Sequence, residues 1–247
     1  PWLRSAVNVD LTSKGHPLRR AGFQAVLSGY THSLWSDPRI SFALMVHEGV
    51  LIAVSNNDLL QVAIREVTPF RPVSYAPVNG EVYWSNGIES GLVTYDLLDA
   101  MWGLPVAGQP TLSTIDSGGL FEGTYNVTCT YFDAQDIEHG ASEPVSISVL
   151  AGGGIEVVAP TAPIGAARWA VYCTQADGET YYQTHSVPVI VGQITITNSD
   201  MGVGKLLETQ DRHPPKPGHI VRHENGRIFI ARHDTVTFTD PLRYHLT

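Results

Sequence analysis

The chain has 247 residues, with 24 acidic against 15 basic side chains and a formal net charge of −9. That length leaves room for one large domain or two smaller ones, and 43% hydrophobic with 16% charged residues argues against a disordered or membrane-spanning chain. No apolar run approaches the ~18–20 residues a helix needs to cross a bilayer, and the acidic balance argues against a general nucleic-acid surface, which needs clustered Lys and Arg. Local basic spots remain at Lys14 with Arg19 and Arg20, and between Arg212 and Arg232. The N-terminus shows no basic, then apolar, then small-residue leader. The start without Met, and the end at His245-Leu246-Thr247 just after a strand-like segment, suggest a piece of something longer.

In chain order, residues 1–28 read as an opening hairpin. Ala6 to Leu11 alternates weakly, Ser13-Lys14-Gly15-His16-Pro17 is turn chemistry, and Leu18 to Leu27 returns as a strand. Gly29 to Pro38 reads as an aromatic loop with Trp35 packed beneath it. Then a unit recurs: strand, tight turn ending in Gly, strand. It appears at Phe42–Val54, at Pro72–Asn86 around Asn79-Gly80, and at Gly218–Arg232 around Asn225-Gly226. Asn-Gly between alternating strands is the strongest short hairpin signal, because a type I′ turn needs positive φ at both central residues. The second strand of each unit is nearly continuous apolar (Val50 to Val54, Val82 to Trp84, Ile228 to Ala231), which predicts burial on both faces. Asp96 to Trp102 reads as a short helical turn, and Pro105 to Pro110 as a linker.

The next stretch organises the rest. In Gly123-Thr124-Tyr125-Asn126-Val127-Thr128-Cys129-Thr130-Tyr131-Phe132-Asp133, the residues Tyr125, Val127, Cys129 and Tyr131 point to one side and Asn126, Thr128 and Thr130 to the other. That period of two predicts a half-buried strand. Val145, Ile147 and Val149 repeat it after a polar break. Further strands are expected at Ile155–Ala159, Arg168–Thr174, Tyr181–His185 and Ile194–Ile196, and Asp211 to Gly218, with Pro214, Pro215 and Pro217, is a stiff exit. Cys129 and Cys173 each fall in an alternating strand. The pattern favours two buried free thiols and leaves open a disulfide between sheets.

The motif G-x-Y-x-V-x-x-x-Y-x-D, followed by a polar loop and Ser142-Glu143-Pro144, resembles a fibronectin type III or immunoglobulin-like module. The expected fold is therefore all-β: a hairpin-based, propeller-like scaffold over residues 1–105, an inserted β-sandwich over 106–205, and a return to the scaffold over 206–247.

Each candidate motif for chemistry lacks a part that the chemistry needs. Gly152-Gly153-Gly154 has no following Lys-Ser or Lys-Thr and opens no helix, so it reads as a turn rather than a phosphate loop. His219 and His223 stand at i and i+4, which converges on a helix but not on the strand predicted there, and no Cys/His cluster suggests zinc. Asp133, Asp136, Glu138 and Glu143 gather near one loop, where a glycosidase would need an acid pair, but loop acids also keep turns soluble. No nucleophile, base and orienter assemble, so a non-enzyme without cofactor or metal is the expectation.

A second resemblance rests on several short runs: Asn8-Val9-Asp10 with Arg19-Arg20-Ala21-Gly22-Phe23, His32-Ser33-Leu34-Trp35, Gly87-Ile88-Glu89-Ser90-Gly91, Trp102-Gly103-Leu104-Pro105, and Asn225-Gly226-Arg227-Ile228-Phe229-Ile230-Ala231-Arg232 running into Phe238-Thr239-Asp240-Pro241. These look like structural proteins of tailed-bacteriophage virions, of the tail nozzle or tail-tip type. The resemblance implies a place in the distal tail, other virion tail proteins as partners, a homo-oligomeric ring or tube, DNA met only in passage, and no membrane insertion by this chain. The competing classes are a virion glycan hydrolase and a glycan-binding module, the latter with Trp35, Tyr181 and Tyr182 as stacking platforms.

Overall fold

The structure, a computed structural model, describes residues 9–11, 14, 16–19, 27–56 and 59–247. It is all-β, and among the described residues the only helical turn is a single 3-10 turn at Asn198–Asp200. Strands β1 (Val9–Leu11) and β2 (Pro17–Arg19) pair antiparallel. Of the expected opening hairpin, residues 1–8, 12, 13, 15 and 20–26 lie outside the described residues.

Two antiparallel meanders follow. The first contains β3 (Thr31–Trp35), β4 (Phe42–His47), β5 (Val50–Ser55) and β6 (Gln61–Glu66), paired in chain order. The second contains β7 (Ser74–Val78), β8 (Glu81–Ser85), β9 (Ser90–Val93) and β10 (Asp99–Ala100), again in chain order. The expected Asn-Gly turn is present, with Asn79 at φ 53° and Gly80 at φ 88°, the left-handed pair that a two-residue hairpin requires. Two stretches depart from what their local sequence predicts. The stretch read as an aromatic loop contains β3, whose ladder is broken by a bulge between His32 and Trp35, which obscures the period of two. Asp96 to Trp102 is a turn leading into β10 rather than helical, because its backbone pairs with β9 instead of closing on itself.

The central region forms two sheets. One has the order β11 (Thr111–Ile115), β14 (Gly154–Val158), β17 (Gln193–Ile196); the other has β13 (Val145–Val149), β12 (Gly123–Asp133), β15 (Ala166–Cys173), β16 (Tyr182–Pro188). They share one core. Tyr125, Val127, Cys129 and Tyr131 of β12, with Trp169 and Val171 of β15, meet Ile155, Val157, Ile194 and Ile196. The cysteines are free and buried. They sit on adjacent strands of the same sheet, with Cys129 opposite Val171 and Cys173 opposite Val127, rather than facing each other between sheets. Burial pushes both thiols up to about 12.

The chain ends in a third meander, β18 (Ile220–Glu224), β19 (Arg227–Arg232) and β20 (Thr235–Phe238), with three strands where the first two meanders have four. Alternation links the three meanders face to face. Trp84 and Val82 of β8 pack on Phe42, Leu44 and Leu51 of the first sheet. Their neighbour Tyr83, with Ala76 and Val78 of β7, packs on Val221, Ile228 and Ile230 of the third. Strand β8 lies between these two packings and is buried on both faces, and β5 is buried from Leu51 to Val54, as their apolar runs predict. In β19 the expectation of two buried faces fails, since Phe229 is exposed while Ile228 and Ile230 are buried. The third sheet has a neighbour on one side only among the described residues.

Candidate functional site

Strand β12 was expected to be half-buried, and it is not. From Thr128 to Phe132 every residue is buried on both faces. The second face is covered by the returning chain: Tyr181 and Leu207 pack on Phe132, Ala170 and Tyr172. Residues 205–207 run beside β16, with backbone bonds from Gln183 N–H to Lys205 C=O (2.9 Å) and from Leu207 N–H to Tyr181 C=O (3.2 Å). The chain then passes the 134–142 loop, where Ala141 N–H donates to Thr209 C=O (3.1 Å), and pairs with the last residue through two backbone bonds between His213 and Thr247. Gly140 is required at this crossing, because a Cβ there would overlap the Arg212 carbonyl oxygen.

Between loop, strap and C-terminal residues opens a cleft of about 310 Å³ whose charged lining includes Asp136, Glu138, Arg168, Lys205, Glu208 and Arg243. The charges alternate and are paired. Arg168 meets Asp136 while its guanidinium lies 3.6 Å over the Phe132 ring, Lys205 bonds Glu138 at 2.8 Å, and Arg243 meets Glu208. Glu138 also accepts hydrogen bonds from the Thr130 hydroxyl (2.8 Å) and the Tyr172 hydroxyl (2.6 Å). Burial and that carboxylate together push the Tyr172 phenol well above its ordinary range. Each ion of the cleft already has its counter-ion within the chain.

Behind the cleft lies a histidine pair. His139 and His245 meet edge to face at 4.9 Å. The Leu104 N–H donates to His139 Nδ1 (3.0 Å), so the ring carries its proton on Nε2, which donates to Asp133 Oδ2 at 3.2 Å. Both nitrogens of His139 are engaged, and no lone pair is left to take a proton from a substrate. Burial alone would raise the Asp133 carboxyl, but the bonds from His139 and from the Ile137 and Gln135 amides outweigh it and hold it below the usual range. His245 Nε2 donates to the Glu138 carbonyl (3.0 Å). Burial, and then the neighbouring His139, lower its pKa to about 4. The geometry makes a clasp: Leu104 on the way into the central region, the 133–139 loop within it, and His245 at the far end of the chain are held at one point. Trp102 reinforces it by donating from Nε1 to Tyr244 C=O at 2.7 Å.

The residues expected to stack on glycans are not brought together. Trp35 packs against Tyr75 at 5.6 Å, beside the core between the first two meanders, whereas Tyr181 packs on the outer face of β15 and Tyr182 bridges to Leu206. Of the loop acids, Asp133, Asp136 and Glu138 do converge, each on a structural partner, while Glu143 is exposed. His219 and His223 diverge: His219 packs on His233 and His223 on Tyr244. Among the described residues no group of His, Cys, Asp and Glu is placed to hold a metal ion. The clasp itself is almost invisible in the sequence. Its only local trace is the density of Asp, Glu and His between residues 133 and 139. Comparison of the sequence with protein-family models and with curated proteins found no match.

Proposed function

We propose that the chain is a structural component of a bacteriophage tail, of the distal-tail, nozzle or tail-tip type. In this reading residues 1–105 and 206–247 form a partial, propeller-like scaffold, and residues 106–205 are a fibronectin type III-like sandwich inserted into it. The observation that supports it most is the architecture: antiparallel meanders stacked face to face, interrupted by a two-sheet region whose entry at Leu104 and loop at His139 are clasped to His245 in the returning segment. A part held in that way suits load-bearing assembly better than turnover, and the charged groups of the cleft are committed to partners within the chain. Other tail proteins and further copies of this chain are the partners. DNA is met only in passage, where an acidic surface would repel phosphate and let it slide.

Antibody labelling of intact phage particles tests the assignment. Label concentrated on the tail is the expected result, and bare tails with label in a host compartment would end it. The rival hydrolase reading predicts that the pure protein depolymerises host surface polysaccharide and that changing one acid of the 133–138 loop abolishes this. Unchanged polysaccharide is the outcome expected here.

A further inference from the structure

The third meander is one strand short, and its last strand leaves an edge open. All four residues of β20, Thr235-Val236-Thr237-Phe238, are exposed, with Val236 at 62% and Phe238 at 51%. None is charged, none is Pro, and each is a good strand former. The phase of the ladder decides which backbone groups face out. Thr239 N–H donates to Ile228 C=O (3.0 Å), so Thr239 and Thr237 bond to β19, and the alternate residues Val236 and Phe238 turn their N–H and C=O to the free side. Among the described residues no strand pairs with that side. The chain after β20 leaves it uncovered, because Asp240 to Leu246 folds back on itself through Asp240 N–H to Leu246 C=O.

We infer that this edge pairs with the same edge of a second copy of the chain, antiparallel about a two-fold axis at Thr237, joining the two third meanders into one continuous six-stranded sheet. The sequence of the edge is self-complementary in this register. Val236 of each copy stands opposite Phe238 of the other, and the two exchange both hydrogen bonds, which satisfies all four outward groups in each chain. Val236 against Phe238 is a β-branched–aromatic cross-strand pair, of the kind that stabilises a sheet. The two Thr237 residues meet as a non-hydrogen-bonded pair, with Cα atoms about 4.5 Å apart. One opposing term is built in. Asp234 of one copy approaches Asp240 of the other, but Asp240 is already paired with Arg212 at 3.2 Å, which lowers the repulsion.

This refines the assembly part of the tail reading and rests on that reading for its biological setting alone. The test is made on the purified full chain, and particle labelling decides the tail assignment separately. Sedimentation across a concentration series should show a monomer–dimer equilibrium. Val236→Pro removes an outward donor from each copy without touching a bond to β19, and should weaken dimerisation by at least about tenfold. Asp234→Asn should strengthen it. Thr237→Cys should oxidise to a linked dimer, because its Cα spacing suits a disulfide, while the buried Cys129 and Cys173 stay out of the reaction. A chain that stays monomeric and yields no linked dimer through Thr237→Cys overturns the inference. So does a dimer that Val236→Pro leaves at full strength.

Discussion

The central region and the meanders around it are built from the same antiparallel strands but bury their cores differently. The central region closes on itself: its two sheets face each other, and Trp169 sits at zero exposure in the shared core with Nε1 bonded to Val191 C=O at 2.7 Å. The meanders have no such closure. The second meander buries one face on the first and the other on the third, so Trp84 is equally buried but between two sheets, and its Nε1 finds no partner. A closed pair of sheets carries its own core, whereas stacked sheets hold by nearest-neighbour contacts and leave the last face bare. The bare face here is Ile220, Phe229, Val236 and Phe238.

The largest test of that difference removes the two indoles. Trp84→Ala and Trp169→Ala should each cost about 3–5 kcal/mol, but in different places. Hydrogen exchange should rise across the first two meanders alone for Trp84→Ala, and across the central sheets for Trp169→Ala. The conservative changes sharpen the contrast: Trp84→Phe should cost less than Trp169→Phe, which strands the Val191 carbonyl. Equal exchange over the whole chain in both Ala variants would mean that the two regions unfold as one.

Acid probes the clasp that joins the regions. His245 is held neutral, its pKa lowered from the ordinary 6.5 to about 4 by burial and by His139. Unfolded, it gains a proton below pH 6.5; folded, only below about 4. Its contribution to stability is therefore complete above pH 6.5 and is lost as the pH falls to about 4, by at most roughly 3 kcal/mol. Asp133, held below its ordinary range, adds a further loss only as the pH drops beneath the usual carboxylate range. Thermal melts from pH 7.5 down to 4 should fall along this course, and His245→Phe should flatten the slope.

A smaller effect is expected at the cleft. Glu138→Ala takes the acceptor from the Thr130 and Tyr172 hydroxyls and should cost about 1–3 kcal/mol. Glu138→Gln keeps an acceptor oxygen and should recover most of that in denaturant titration, because the exposed Lys205 pair contributes little. Least of all, Gly80→Ala should cost about 1 kcal/mol. Its φ of 88° strains any Cβ, although nothing lies within 4 Å of the added atom. Since that turn is local, its loss should leave the exchange of the central sheets unchanged.

Much of the fold was legible because its causes are short-range. Alternation at Tyr125, Val127, Cys129 and Tyr131 marked the inner face of β12, and Asn79-Gly80 and Asn225-Gly226 marked two hairpins whose φ values follow. A bulge hid β3, since one irregular residue destroys a period of two. The candidate site was nearly illegible. Asp133, Asp136 and Glu138 could be seen gathering near one loop, but not that Lys205, Arg243 and His245 would come to them from 67 or more residues further along.

By itself the sequence determined an all-β chain, the main hairpins with their turns, and two cysteines pointing inward, because backbone φ and side-chain alternation depend on residues within one strand or turn. Only the tertiary structure decided which faces are covered. Thr128 and Thr130 carry a polar, solvent-facing pattern yet are buried, because Ser142, Glu138 and Tyr172 supply their hydrogen bonds or share their acceptor and the strap through Leu207 closes over that face. Phe229 and Phe238 carry an apolar, core-facing pattern yet are exposed, because no described segment packs on that side of the third meander. Burial is a property of what arrives from elsewhere in the chain, and a strand's own residues record only what it would accept.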